Sequence, residues 1–243
     1  MGRDRILLIT GASADIGCDL IAHAAVYYDK IIGQFFHRNS NLDKLESSLG
    51  DKLLLLHANF ADAQSSCDFI AALKNTQLSV SHFVHLPALR VRPEKYTKIP
   101  WEQFELEMQV SLRSFVQVSQ AVLPAMIKRR YGKILVMLSS YTVGVPPKYL
   151  SSYITLKYAL LGLSKGLACE YADKGITVNG VSPEMIETKF LSNMPALISE
   201  KNALSSPRKR NLDLRDITPL LLYLLSDGAD AITGQNLAVT GGK

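Results

Sequence analysis

Tyr153 and Lys157 stand one helical turn apart in Tyr153-Ile-Thr-Leu-Lys157, so a helix would put both on one face. Ser140 lies thirteen residues upstream, just past an apolar run that reads as a strand. A free phenol titrates near about 10, too high for ready proton exchange at neutral pH. An ammonium beside it stabilises the phenolate and lowers that value, each unit being worth about 1.4 kcal/mol. A serine hydroxyl over the same pocket can hold a substrate oxygen and stabilise charge developing there. In such a trio Tyr153 is the general acid when a carbonyl is reduced and the general base when an alcohol is oxidised. The expected pH profile shows a group titrating well below a free tyrosine. The tyrosine–lysine pair is weak evidence by itself, and Ser140 makes it informative.

A second group of residues could hold an anion. Thr10-Gly11-Ala12-Ser13-Ala14-Asp15-Ile16-Gly17 joins a strand-like run to a helix-like one. A tight turn there aims backbone N–H groups, among them those of Ser13, Asp15 and Ile16, at a pyrophosphate on the positive helix end. Gly11 allows the turn, and Gly17 lets the helix pack close to the strand. Asp15 tolerates unusual backbone angles, but its carboxylate must point away from a bound phosphate.

These residues need elements to hold them. Apolar runs at Ile6–Thr10, Ile31–Phe36, Leu53–His57, Val80–Val84, Lys133–Leu138, Ile176–Val181 and Leu237–Thr240 read as strands. Helix-period segments fill the gaps, near Ile16–Tyr28, Leu42–Leu49, Gln64–Asn75, Trp101–Arg130, Ser151–Lys174 and Asp216–Ser226. The runs are apolar nearly throughout, as in a parallel sheet covered by helices on both faces. The expected fold is therefore α/β, one doubly wound parallel seven-stranded sheet of the Rossmann kind over residues 1–243. Pro124 should bend or weaken its helix. The segment 184–210, with Pro195, Pro207 and many Ser and Asn, reads as a substrate lid on the ligand side of the sheet.

The Ser…Tyr-x-x-x-Lys trio and the glycine turn resemble those of the short-chain dehydrogenases/reductases. Gly175-Ile-Thr-Val-Asn-Gly-Val-Ser-Pro183 is similar to that family's sixth strand, and Ile232-Thr-Gly-Gln-Asn-Leu-Ala-Val-Thr-Gly-Gly242 to its last. The resemblance covers essentially the whole chain and is nearest to the 3-oxoacyl-carrier-protein reductases. It implies a nicotinamide cofactor and hydride transfer between that cofactor and a carbonyl or alcohol. By the same resemblance Asn59 and Phe60 would lie near the adenine. Pro183, the Ile186 backbone and the Thr188 hydroxyl would hold the carboxamide, and Lys157 would reach the nicotinamide ribose.

Four positions depart from the family's pattern. Asp15 replaces the second glycine of the turn, and His85-Leu-Pro-Ala88 stands for Asn-Asn-Ala-Gly. Ser111 stands for the asparagine that completes the catalytic tetrad, where it could hold a proton-relay water. Glu184 replaces a glycine. His85 is kept among the expected cofactor contacts. After the second strand, Phe35-Phe36-His37-Arg38-Asn39-Ser40 lacks the carboxylate that NAD forms use for the ribose. Arg38 can instead pair a 2′-phosphate bidentately, so NADP(H) is expected over NAD(H).

The net charge of +5 is mild and lacks the aromatic-studded basic stripe of a nucleic-acid binder. Clusters at Lys128-Arg129-Arg130 with Lys133, and at Arg208-Lys209-Arg210, could attract an anion, and Lys128-Arg129-Arg130 with Lys174 resembles the surface that such reductases turn to an acidic carrier protein. No apolar run reaches about 20 residues, and Met1–Thr10 passes directly into a strand pattern, so neither a membrane span nor a signal peptide is expected. Cys18, Cys67 and Cys169 form no C-x-x-C pair and read as reduced, mostly packed thiols in a cytoplasm, with no metal site. The expected partners are a small or carrier-linked carbonyl substrate and copies of the same chain, as a homodimer or homotetramer. A different class of function, a dinucleotide-binding sensor or catalytically weak partner subunit, is the alternative that the four departures motivate.

Overall fold

Seven apolar runs become seven strands: β1 (Ile6–Thr10), β2 (Lys30–Phe35), β3 (Leu53–His57), β4 (His82–His85), β5 (Gly132–Met137), β6 (Ile176–Pro183) and β7 (Asn236–Val239). They form one parallel sheet in the order β3-β2-β1-β4-β5-β6-β7. The computed structural model describes residues 4–191 and 196–243, so Pro195 of the expected lid lies outside the described residues. The strand order reverses between β1 and β4, and there the carboxyl ends of the strands open a crevice. β4 starts two residues later than its apolar run, because the Ser81 hydroxyl engages the Ile6 backbone on both sides.

Alternation along β1 divides the core. Leu7 and Ile9 pack with α1 (Asp15–Ala24), α2 (Ser40–Leu49) and α8 (Leu214–Leu225), through Leu20, Ile21, Leu42 and Leu221. Ile6 and Leu8 pack with α3 (Ala63–Asn75), α5 (Ser114–Arg129) and α6 (Ser151–Tyr171), through Phe69, Phe115, Val118 and Leu160. Each such side chain contributes about 1.5–3 kcal/mol by leaving water. Between these lie α4 (Trp101–Glu107) and, late in the chain, α7 (Ala196–Ser205).

The long fifth helix of the sequence reading is interrupted, but not at Pro124. α5 runs α-helically through Pro124, whose missing N–H would have served the carbonyl of exposed Gln120. The irregularity is instead a π-helical turn at Met108–Arg113 between α4 and α5. By length and composition alone Trp101–Arg129 could cross a membrane. It is a core helix here: Phe115, Val118, Val122 and Met126 are buried against the sheet.

Two surface readings need correction. Lys133 is no part of a basic surface; it is buried and paired with Asp230. Of the cysteines only Cys18 is packed, while Cys67 and Cys169 are free and exposed.

Candidate active site

The crevice at the switch point is a cleft of about 780 Å3. Its floor begins at the glycine turn. Gly11 adopts φ +75° at the end of β1, a backbone angle that favours glycine, and its N–H donates to the Gln34 side chain at 2.9 Å. Gly17 does not line the cleft; a Cβ there would sit 2.7 Å from the carbonyl oxygens of Gly11 and Ala12, so it is what lets α1 approach β1. Ala14 caps α1 without a side-chain bond, leaving the first amides of the helix open to an anion. Gly11, Ser13, Asp15 and Ile16 line the cleft around that helix end. The Asp15 carboxylate is turned aside, accepting from the Lys189 backbone N–H at 2.7 Å. That bond joins the turn to the segment after β6.

Farther along, Arg38, Asn59 and Phe60 also line the cleft. Arg38 is held by two carboxylates, Asp43 at 2.8 Å and Glu46, with its guanidinium 5.7 Å from the Phe35 ring. Asn59 closes its own turn by accepting from the Ala61 N–H at 3.1 Å. Phe60 stacks edge-on against Phe69.

The three chemical residues converge at the other end. β5 delivers Ser139 and Ser140 to the cleft, and Tyr153 and Lys157 project into it from the first turns of α6. Lys157 Nζ donates to the Met137 carbonyl at 2.7 Å and lies 5.6 Å from the centre of the Tyr153 ring. Burial pushes the Lys157 ammonium down to about 8. Crowding by the surrounding chain pushes the Tyr153 phenol up to about 12, against a hydrogen bond with Ser139 that favours the phenolate. Burial thus opposes the acidified phenol expected from the sequence, and the Lys157 ammonium is itself desolvated and engaged with Met137. Ser140 Oγ donates to the Glu184 carboxylate at 3.1 Å. Pro183, Ile186 and Thr188 complete the wall after β6, where Ile186 pairs with Leu212.

Two expected site residues lie behind the cleft. His85 is buried at the end of β4 and does not line the cavity. Its Nε2 is 2.9 Å from the Ser111 carbonyl, so that nitrogen carries the proton, and the Thr10 hydroxyl then donates to Nδ1 at the same distance. Burial drives His85 down to about 3, which keeps it neutral. With both nitrogens bonded within the protein, it ties β1 and β4 to the π-helical turn. Ser111 sits in that turn, buried, and likewise does not line the cleft.

The sequence reading missed Gln34, Asn39 and Ser139. Gln34 bridges the Gly11 N–H and the Ala58 carbonyl, locking the turn to β2 and β3. Asn39 donates to the Ser13 carbonyl while capping α2. A polar residue inside the apolar run Ile31-Ile-Gly-Gln-Phe35 was the available signal for the first, because a buried amide needs partners.

Comparison with known proteins settles the lineage. Residues 31–243 match a family model described as Enoyl-(Acyl carrier protein) reductase. The chain is 31% identical over 242 residues to the 3-oxoacyl-(acyl-carrier-protein) reductase FabG of Haemophilus influenzae, covering 98% of this chain and 97% of the relative. The chain belongs to the short-chain dehydrogenase/reductase family. It is an oxidoreductase. A similar reductase from Buchnera aphidicola is 36% identical over 146 residues, 58% of this chain and 57% of the relative. Oxidoreductase UcpA of Salmonella typhimurium is 28% identical over 250 residues, 97% of this chain and 93% of its own. Solved structures show the same fold. The acetoin dehydrogenase YohF of Salmonella typhimurium superposes with a TM-score of 0.86 at 23% identity, covering 99% of this chain and 97% of that one. A Brucella melitensis 3-oxoacyl-(acyl-carrier-protein) reductase with bound NAD superposes at 0.85 and 22% identity, covering 99% and 91%. Within this family's frame, the structure accounts for two departures, since Asp15 bonds to the Lys189 amide and His85 to Ser111 and Thr10.

Proposed function

We propose that this short-chain dehydrogenase/reductase reduces a ketone, free or as a 3-oxoacyl thioester, and takes NADPH in preference to NADH. The convergence of Ser140, Tyr153 and Lys157 on the cleft that starts at the open end of α1 carries the reading. The donor set fits a dinucleotide: unbonded helix amides for the pyrophosphate, Arg38 toward the ribose, and Lys157 beside the reacting end. A reduced nicotinamide held there would supply the hydride that the carbonyl carbon accepts. Ser140 donates a hydrogen bond to the carbonyl oxygen, and Tyr153 delivers its proton to that oxygen. The Lys157 ammonium stabilises the phenolate left behind. The described parts of the segment, 184–191 and 196–210 with α7, serve as a substrate lid. The free, exposed Cys67 and Cys169 suit a reducing cytoplasm.

Oxidation of NADPH by a panel of ketones tests the activity, and binding of NADPH without turnover of any ketone would favour the sensor reading instead. Cofactor preference has its own test. The two ion pairs of Arg38 are exposed and weak, so a doubly charged phosphate displaces them. Titration should show NADPH binding tighter than NADH by on the order of tenfold. Arg38→Ala should erase that gap, and equal affinities in the unmutated protein would rule the assignment out.

The chain assembles through α5 and α6 as a homodimer or homotetramer. On the outer face of α6, Gly162 and Gly166 border open space and Tyr158 is half exposed, a surface another helix can approach closely. Sedimentation at micromolar concentration should give a mass of two or four chains, and a 26.8 kDa species alone would refute this.

A further inference from the structure

We propose that Glu184 selects carbonyl substrates that carry a hydrogen-bond donor, a hydroxyl or an ammonium group, on the carbon next to the carbonyl. The inference rests on the reading that Ser140 holds the substrate oxygen. Glu184 is fixed at the end of β6 by its backbone N–H, which donates to Val239 at 2.9 Å. Its side chain is 11% exposed and lines the cleft. One carboxylate oxygen accepts from Ser140 Oγ at 3.1 Å; the other lies 3.9 Å from Lys243 Nζ, which is anchored to the Asn202 carbonyl of α7 at 3.2 Å.

A serine hydroxyl has one proton to donate. While it goes to Glu184, Ser140 cannot donate to a substrate oxygen. A carbonyl oxygen gaining charge beside Ser140 would also face the carboxylate, and like charges this close repel. A donor on the adjacent carbon removes both problems. Oxygens on neighbouring carbons are spaced about one hydrogen-bond length apart, matching the Ser140–Glu184 spacing. The substrate hydroxyl or ammonium then donates to Glu184 and frees the Ser140 proton for the carbonyl oxygen. A plain ketone leaves Glu184 unpaired against developing charge, and such a mismatch is how a site built to bond a substrate hydroxyl rejects the analogue lacking it. Leu89, Val91, Leu106, Val110 and Leu150 line the same cleft and suit an apolar remainder.

The test compares 2-hydroxyacetophenone with acetophenone, which differ by one hydroxyl, as ketones in NADPH oxidation by the unmutated protein, Glu184→Gly and Glu184→Gln. The unmutated protein should prefer the hydroxyketone in kcat/KM by about tenfold or more. Glu184→Gly should bring the ratio near one, with faster reduction of acetophenone. Glu184→Gln keeps the shape and an acceptor oxygen without the charge and should fall between, which guards against a fold damaged by the glycine. A ratio near one in the unmutated protein, or a preference that survives both substitutions, overturns the inference and leaves the carbonyl-reductase reading standing. Turnover of neither ketone by all three proteins overturns the inference, while the wider ketone panel judges the carbonyl-reductase reading.

Discussion

Replacing Tyr153 with phenylalanine is expected to cut ketone reduction by about 10²–10⁴-fold, the usual loss for a missing general acid. Protein stability and cofactor affinity should barely change. The substitution keeps the ring and removes one hydroxyl, whose hydrogen bond is with Ser139. Loss of a neutral hydrogen bond costs about 0.5–1.5 kcal/mol, and here the substitution also relieves the burial of a polar group. Ser140 and Ser139 are far weaker acids than a phenol, and His85, which could otherwise serve, is sealed behind the cleft with both nitrogens bonded. Steady-state rates and a denaturation midpoint on the same preparation separate the two effects. A Tyr153→Phe protein that reduced ketones at the unmutated rate would end the assignment of Tyr153 as proton donor.

Why the trio was legible before any coordinates is a matter of period. A tyrosine and a lysine four apart share a helix face whatever surrounds them, and an apolar run ending at Leu138 must deliver Ser140 to the strand's carboxyl end. The same logic recovered all seven strands, with β1 and β3 at their stated bounds. Helix α7 was missed, because polar residues and two prolines in 184–210 mask its short apolar spacing. So was the π-helical turn, since Met108–Arg113 carries no glycine or proline. That turn exposes the Ser111 carbonyl, and the proton it accepts comes from His85, on another strand. Only the fold brings these two together.

Charge was the least legible property. Lys133 read as surface because lysines usually are, yet β5 carries it inside, where Asp230 meets it. Arg210 likewise looked like a free cation, but it forks onto Asp216 at 2.6 and 2.8 Å and holds that carboxyl well below its ordinary range. Lys133 and Asp230 are 97 residues apart, so no local pattern relates them, and neither Lys133 nor Arg210 belongs to the face read from Lys128, Arg129, Arg130 and Lys174.

The same limit governs Lys157, whose substitution should separate stability from function. Burial holds its ammonium down from 10.5 to about 8, which costs the folded protein on the order of 3 kcal/mol at neutral pH. Lys157→Met removes that penalty and leaves the Met137 carbonyl without its donor, a loss of about 1 kcal/mol. The net expectation is a variant more stable by about 1–2 kcal/mol at pH 7. The sign follows from the direction of the shift. A lysine depressed in the folded state is charged in both states below pH 8, so the penalty is fully present there. Between pH 8 and 10.5 the folded state binds fewer protons than the unfolded one, and stability of the unmutated protein rises with pH. The advantage of Lys157→Met should therefore shrink across that window in urea denaturation. Turnover should move the opposite way. Reduction leaves a phenolate on Tyr153 that a charged Lys157 stabilises beyond the Ser139 hydrogen bond, so the unmutated rate should fall as pH rises through about 8, and the methionine variant should be slow at every pH. A methionine variant less stable than the parent at pH 7 would show that the ammonium is compensated by more than the Met137 carbonyl. The residue would then belong to the scaffold as much as to the chemistry.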